Sequence, residues 1–225
     1  MIIKARTLHK NIIVIGLMLV LCLALGFIFN DYMFLGSLIL FLGAAQTLLL
    51  SKGVWWEELI GITEAAVVAL VAYRANLFGT AILTIAIYIP LSIFSLISWK
   101  DNQQGGKIQV NRMTVKTSVI VVFSLIITIT IVSLLLSLLP NQNLPVLDTL
   151  SNMLDICGII LIALRYKEGW IFWMLCSGID LVLWGILHFS HASHNGIMMI
   201  IVSLFNILLN AWGFYCFLKM SKNFD

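Results

Sequence analysis

The run from Trp170 to His188 is apolar, long enough to cross a bilayer, and carries one formal charge, Asp180. A carboxylate at mid-membrane costs roughly 2.5–3.5 kcal/mol on insertion scales, so it is kept where it faces a bundle interior, a partner or a watery path. Trp173, Ser177, Asp180 and Trp184 follow i, i+4, i+7, i+11, which is one face of a helix. Asn206 and Asn210 share a face of the next apolar run, and Ser151 and Asp155 share one of an earlier run. Tyr88, Ser92 and Ser95 occupy a comparable depth in the first half of the chain, where Glu64 is a further acid inside an apolar stretch. Flat aromatic faces stack planar rings and favour a positively charged one. Amides and carboxylates bond hydroxyls. No basic residue lies at this depth to receive a phosphate, so the set suits a small, flat, phosphate-free polar solute moving through a membrane.

The same residues have a plainer use. Polar side chains also hold membrane helices together, at about 0.6 kcal/mol each on average, and for Asn206, Asn210 and the serines that alternative is equally open. Trp55, Trp56 and Trp99 flank apolar runs and read as interface anchors. Glu57 and Glu58 stand at a helix start, where acids meet the positive dipole end, and read as capping charges. His188, His191 and His194 have a spacing that would suit zinc or copper, yet no acid or cysteine is close in sequence to complete a site. An extracellular loop is the default there, and neither a metal nor a cofactor is expected.

The elements that must position these residues follow from composition. Of 225 residues 61% are hydrophobic and only 10% charged, with a mean hydropathy of +1.07, which leaves no room for a soluble catalytic domain. Eight spans are expected, at residues 11–29, 33–50, 57–73, 79–99, 114–139, 147–165, 170–188 and 196–219. That division puts twelve of the thirteen Lys and Arg residues on the side of the termini and only Arg74 on the other, which places both termini in the cytoplasm. Cys22, Cys157, Cys176 and Cys216 all fall inside apolar runs and read as small core residues. The first 30 residues have the charge pattern of a signal peptide but no small-residue cleavage site, so an uncleaved first helix is the better reading.

Without the first helix the spans divide as three, one and three. The expected organisation is an N-terminal helix in 1–32, a first three-helix bundle in 33–100, a loop and linker helix in 101–146, and a second three-helix bundle in 147–225. The middle span restores the orientation, so the two triples are parallel repeats, as in small SWEET-like carriers. The fold class is thus an all-α polytopic membrane protein.

Four stretches carry a resemblance: LTIAIYIPLSIFSLISWK (83–100), VNRMT (110–114), LDTLSNMLDICGIILIALRYKEGWIFWMLCSGIDLVLWGI (147–186) and SLFNILLNAWGFY (203–215). With the R-x-x-E-x-W-x-x-W-x6-D pattern from Arg165 to Asp180, the chain resembles the PnuC family of bacterial vitamin transporters. The resemblance implies a SWEET-like 3+1+3 bundle, commonly trimeric, in the bacterial inner membrane. It implies uptake of nicotinamide riboside by facilitated diffusion, with a cytoplasmic kinase trapping the solute. Other branches carry thiamine, riboflavin or deoxynucleosides. By position it puts Trp173, Asp180, Asn206 and Asn210 in or near the pocket, with Tyr88 and Ser92 opposite. Family members carrying nicotinamide riboside tend to have an amide where this chain has Ser92, which keeps another solute open. An intramembrane enzyme lacks its motifs here: there is no HExxH, no Ser-x-x-x-Lys dyad in a span and no phosphate cradle. A module coupled to an external ATPase would need a partner that no motif announces.

Overall fold

In hydrocarbon every backbone N–H and C=O must be bonded, and an apolar run without a partner strand achieves this only as a helix. The computed structural model describes residues 31–104, 107–108, 110–191 and 196–221. Seven helices appear among them: α1 (Asp31–Leu50), α2 (Glu58–Arg74), α3 (Phe78–Asp101), α4 (Val115–Leu136), α5 (Pro145–Ala163), α6 (Gly169–Phe189) and α7 (Gly196–Ser221). The first expected span, residues 11–29, lies outside the described residues. Five helices, α3 to α7, are each long and apolar enough to cross a membrane. Two-residue strands, Gln103–Gln104 and Lys107–Ile108, pair antiparallel in the loop after α3.

Local chemistry sets the ends and one irregularity. The Thr114 hydroxyl caps α4 by accepting from the Thr117 N–H at 3.2 Å. Pro145 opens α5, where its missing N–H costs nothing. Within α3 the turn Thr84–Tyr88 is a π-helix, and Ile89 N–H reaches back to Thr84 O. The cause is Pro90, which has no N–H to continue the α ladder.

The triples α1–α2–α3 and α5–α6–α7 each pack in sequence, and they meet where α1 lies on α7 and α3 lies on α5. The first helix of each triple therefore touches the last helix of the other, as two parallel repeats should. Helix α4 rests on α5 and leaves Val119, Val122, Phe123 and Ile126 exposed. Two apolar clusters fill the bundle. One, at the Arg74 end, joins Ile39, Leu40, Val71, Leu183, Leu187, Met198 and Val202. The other, at the lysine-rich end, joins Leu50, Trp99, Ile159, Ile162, Trp170 and Phe217. Trp99 belongs to that second core and is not an interface anchor: it is 1% exposed, and its indole N–H donates to Ile162 O at 2.9 Å. Trp56, by contrast, is exposed.

Polar staples close the α3–α5 seam at both ends. Near Arg74, Asp148 of α5 is wholly buried and accepts from Thr80 N–H at 3.1 Å, Thr80 Oγ1 at 2.5 Å, Gln142 Nε2 at 2.8 Å and Asn152 Nδ2 at 3.0 Å. Gln142 Oε1 accepts from Phe78 N–H at 2.8 Å, and Asn143 Nδ2 donates to Ala75 O at 2.9 Å. At the other end Ser98 Oγ donates to Ala163 O at 3.0 Å beside the Trp99 bond.

Candidate solute-binding cavity

Between the two apolar clusters the helices do not close. A cavity of about 1140 Å³, counting its open mouth, is walled by α1, α2 and α3 on one side and by α5, α6 and α7 on the other. Of the residues singled out from sequence, Trp173, Ser177, Asp180, Trp184, Asn206, Asn210, Tyr88, Ser151, Asp155 and Glu64 line it, and Ser92 and Ser95 do not. The converging faces of the two triples are what bring them together.

Small residues make room for the large ones. A Cβ on Gly158 of α5 would collide with Cδ1 and Nε1 of Trp173, and a Cβ on Gly43 of α1 would collide with the Glu64 carboxylate. Each triple thus lets a side chain of its second helix lie across a glycine of its first. The Trp173 indole N–H is turned to Asp155. Asp155 in turn lies near Glu64 of the first triple and Asp180 of its own, so three carboxylates face the cavity across the seam between the triples. Asp180 is held by the Ser151 hydroxyl and by Cys176 Sγ at 3.7 Å. Asn210 Nδ2 donates to Ser177 Oγ at 3.3 Å, and Ser177 Oγ donates to Trp173 O at 2.9 Å.

Ser92 departs from expectation. It is fully buried, does not line the cavity, and faces the Glu58 carboxyl with Ser95. Ser92 sits one helical turn beyond Tyr88, about 5.4 Å along the axis, and at that depth the start of α2 fills the space. Its identity therefore does not shape the cavity wall directly. Glu57 and Glu58 are corrected as well. Both are 1% exposed, and Glu57 makes no side-chain cap bond although it sits at the N-cap of α2. Glu57 faces Gln46, and Glu58 faces Ser92 and Ser95.

The wall also holds Gln46, Thr47, Thr80, Thr84, Asn152, Cys176 and Ser203. Most are polar positions inside spans, which was the available signal; Thr80 stands too close to a helix start to be told from a cap. Among the described residues no Lys, Arg or His is on the wall. Among the described residues no group of three or more His, Cys, Asp and Glu converges on a metal position. His188 is half-buried, His191 lies in an exposed turn, and His194 is outside the described residues.

The family model described as "Nicotinamide mononucleotide transporter" matches residues 33–219. A nicotinamide riboside transporter PnuC of Neisseria mucosa is 22% identical over 205 residues, covering 88% of this chain and 77% of that protein. The protein of the same name from Haemophilus influenzae is 27% identical over 150 residues, covering 63% and 64%. In structure, the chain is similar to the vitamin B3 transporter PnuC with a TM-score of 0.80 at 20% identity, over 96% of this chain and 93% of the other.

Proposed function

The chain, a multi-pass helical membrane protein, belongs to the nicotinamide mononucleotide transporter family, and from that premise we propose that it carries nicotinamide riboside across the bacterial inner membrane. One observation supports this reading above the rest. The cavity joins two tryptophans, a tyrosine, three asparagines and three carboxylates, with no basic side chain among the described residues of its wall. A planar ring carrying a positive charge gains from the aromatic faces and from the acids. A ribose finds partners in Asn206 and Asn210. A phosphate would find no positive charge on the described wall and would meet three carboxylates, so the riboside is favoured over its mononucleotide.

Entry is by facilitated diffusion, with a cytoplasmic kinase adding the phosphate that the cavity rejects on the way back. In this reading the termini are cytoplasmic, since the lysine-rich end holds Lys52, Lys100, Lys116, Lys167 and Lys219. The working form is a homotrimer, for which the exposed apolar face of α4 offers one surface. The second reading is another nucleoside-like solute: thiamine, a deoxynucleoside or riboflavin. The positively charged thiazolium ring makes thiamine the nearest of these.

Calorimetry on the purified protein decides between them, using nicotinamide riboside, its mononucleotide, thiamine, riboflavin, pyridoxine, deoxyadenosine and thymidine. Saturable binding of nicotinamide riboside without the mononucleotide supports the proposal. Binding of thiamine or a deoxynucleoside alone moves the chain to the second reading, and preference for the mononucleotide defeats the charge argument.

A further inference from the structure

At the corner of the cavity where α3 meets α5, the side chains of Thr80 and Asn152 are both on the wall, and neither has a hydrogen left to give. Asn152 Nδ2 donates to Asp148 O at 2.6 Å, to Asp148 Oδ1 at 3.0 Å and to Thr80 Oγ1 at 2.8 Å. The Thr80 hydroxyl sends its own hydrogen to Asp148 Oδ1 at 2.5 Å. All these hydrogens point away from the solute space and into the seam.

The network fixes which way round the Asn152 amide stands. A backbone carbonyl only accepts, so the atom 2.6 Å from Asp148 O must be the amide nitrogen. The amide oxygen is therefore turned the other way. Among the described residues Asn152 Oδ1 receives no hydrogen bond, and it is not one of the sealed, unpartnered oxygens of the interior. It opens on the cavity that Asn152 lines. The α7 wall differs. Asn206 makes no side-chain bond among the described residues, so its amide offers both donors and an acceptor.

We propose, resting on the reading of the cavity as a nicotinamide riboside site, that Asn152 selects the solute by its carboxamide, accepting one of its N–H groups at Oδ1. Helix α6 stands between α5 and α7, packs on both, and carries Trp173 and Trp184 on the cavity wall. A ring stacked on that aromatic face, with its ribose towards Asn206 and Asn210 of α7, sends its carboxamide towards α5. There an N–H meets a fixed acceptor. A carboxylate in the same place finds no donor from Thr80 or Asn152 and lies close to the Asp148 carboxylate, so the acid form of the riboside is turned away. A methyl ketone keeps the shape of the carboxamide but has no hydrogen to offer.

Calorimetry on the purified full chain tests this with nicotinamide riboside, nicotinic acid riboside, and the acetylpyridine riboside in which a methyl ketone replaces the carboxamide. The wild type should bind the ketone about five- to tenfold more weakly than the amide, the loss of one hydrogen bond, and show no saturable binding of the acid. In Asn152→Ser the new hydroxyl can donate to Asp148 O, as Thr149 does to Pro145 O at 2.7 Å, so the helix is kept while the oriented carbonyl is lost. That variant should bind amide and ketone within about twofold of each other. Asn152→Ala carries the same comparison if the serine variant does not fold. A wild type that binds the ketone or the acid as tightly as the amide overturns the role of Asn152 and leaves the transport reading standing. So does a variant that keeps the full wild-type preference. A wild type that binds none of these ribosides defeats the transport reading and the role of Asn152 together.

Discussion

Truncation of Asp148 to Ala probes whether the seam between the triples is held by one carboxylate. In the intact protein that group, with no exposed surface, receives bonds from Thr80 N–H, Thr80 Oγ1, Gln142 Nε2 and Asn152 Nδ2. Three of the four donors keep or find other partners after truncation. Asn152 Nδ2 still reaches Asp148 O at 2.6 Å and Thr80 Oγ1 at 2.8 Å, Gln142 Nε2 still reaches Asn143 O at 2.9 Å, and the Thr80 hydroxyl can rotate. Thr80 N–H, in the first turn of α3, is left bare. A bare buried N–H costs about 1–3 kcal/mol, and the three weakened bonds add roughly 0.5 kcal/mol each, offset in part because a desolvated carboxylate is gone. The net is about 3 kcal/mol. For a chain of this size each kcal/mol moves the midpoint by roughly 2–4 °C, so Asp148→Ala should melt about 6–12 °C below the wild type. Asp148→Asn retains one acceptor oxygen for Thr80 and should lose about half as much. Circular dichroism during heating in detergent reads both. A shift under about 2 °C for Asp148→Ala would show that the four distances do not report a working staple.

Three further outcomes follow from the cavity. Asn210→Ala removes the bond to Ser177 and an amide from the wall, so nicotinamide riboside affinity should fall about fivefold with helix content unchanged; unaltered affinity by calorimetry would return Asn210 to a purely structural role. Gly158→Ala drives a methyl group into the Trp173 indole, costing about 1–3 kcal/mol of stability and weakening solute binding, and wild-type values for both would contradict the packing argument. Asp180 is held by Ser151 and Cys176, as a gating or framework acid would be. Solute flux into liposomes should therefore ignore an imposed pH gradient, in the wild type and in Asp180→Asn alike, whereas proton-driven accumulation would refute that role.

Among the described residues, helix order was legible because it depends on a one-dimensional quantity, the length of apolar runs. The face carrying Trp173, Ser177, Asp180 and Trp184 was legible for the same reason: spacing within one helix sets it. What stayed hidden depends on which helix lies alongside. Glu57 and Glu58 stand where capping acids stand, and only the approach of α1 with Gln46 and of α3 with Ser92 and Ser95 encloses them. Trp99 sits at a span end like any anchoring tryptophan, but α5 and α7 close over it. The bonds at Asp148 were hidden for the same reason, since Thr80 reaches its carboxylate from 68 residues away, although Gln142 lies only six residues before it.

The staples at Asp148 and Trp99 give the bundle a spine. Directional bonds tie α3 to α5 near both membrane faces, whereas α1 and α7 meet through Ile39, Leu40, Met198, Met199 and Val202, whose contacts have no preferred direction. A book opens away from its binding. Any rocking of one triple against the other should therefore pivot on α3–α5 and part the apolar edge at α1–α7, so that the wall formed by Asn206 and Asn210 travels while Asp155, close to the spine, stays nearly still.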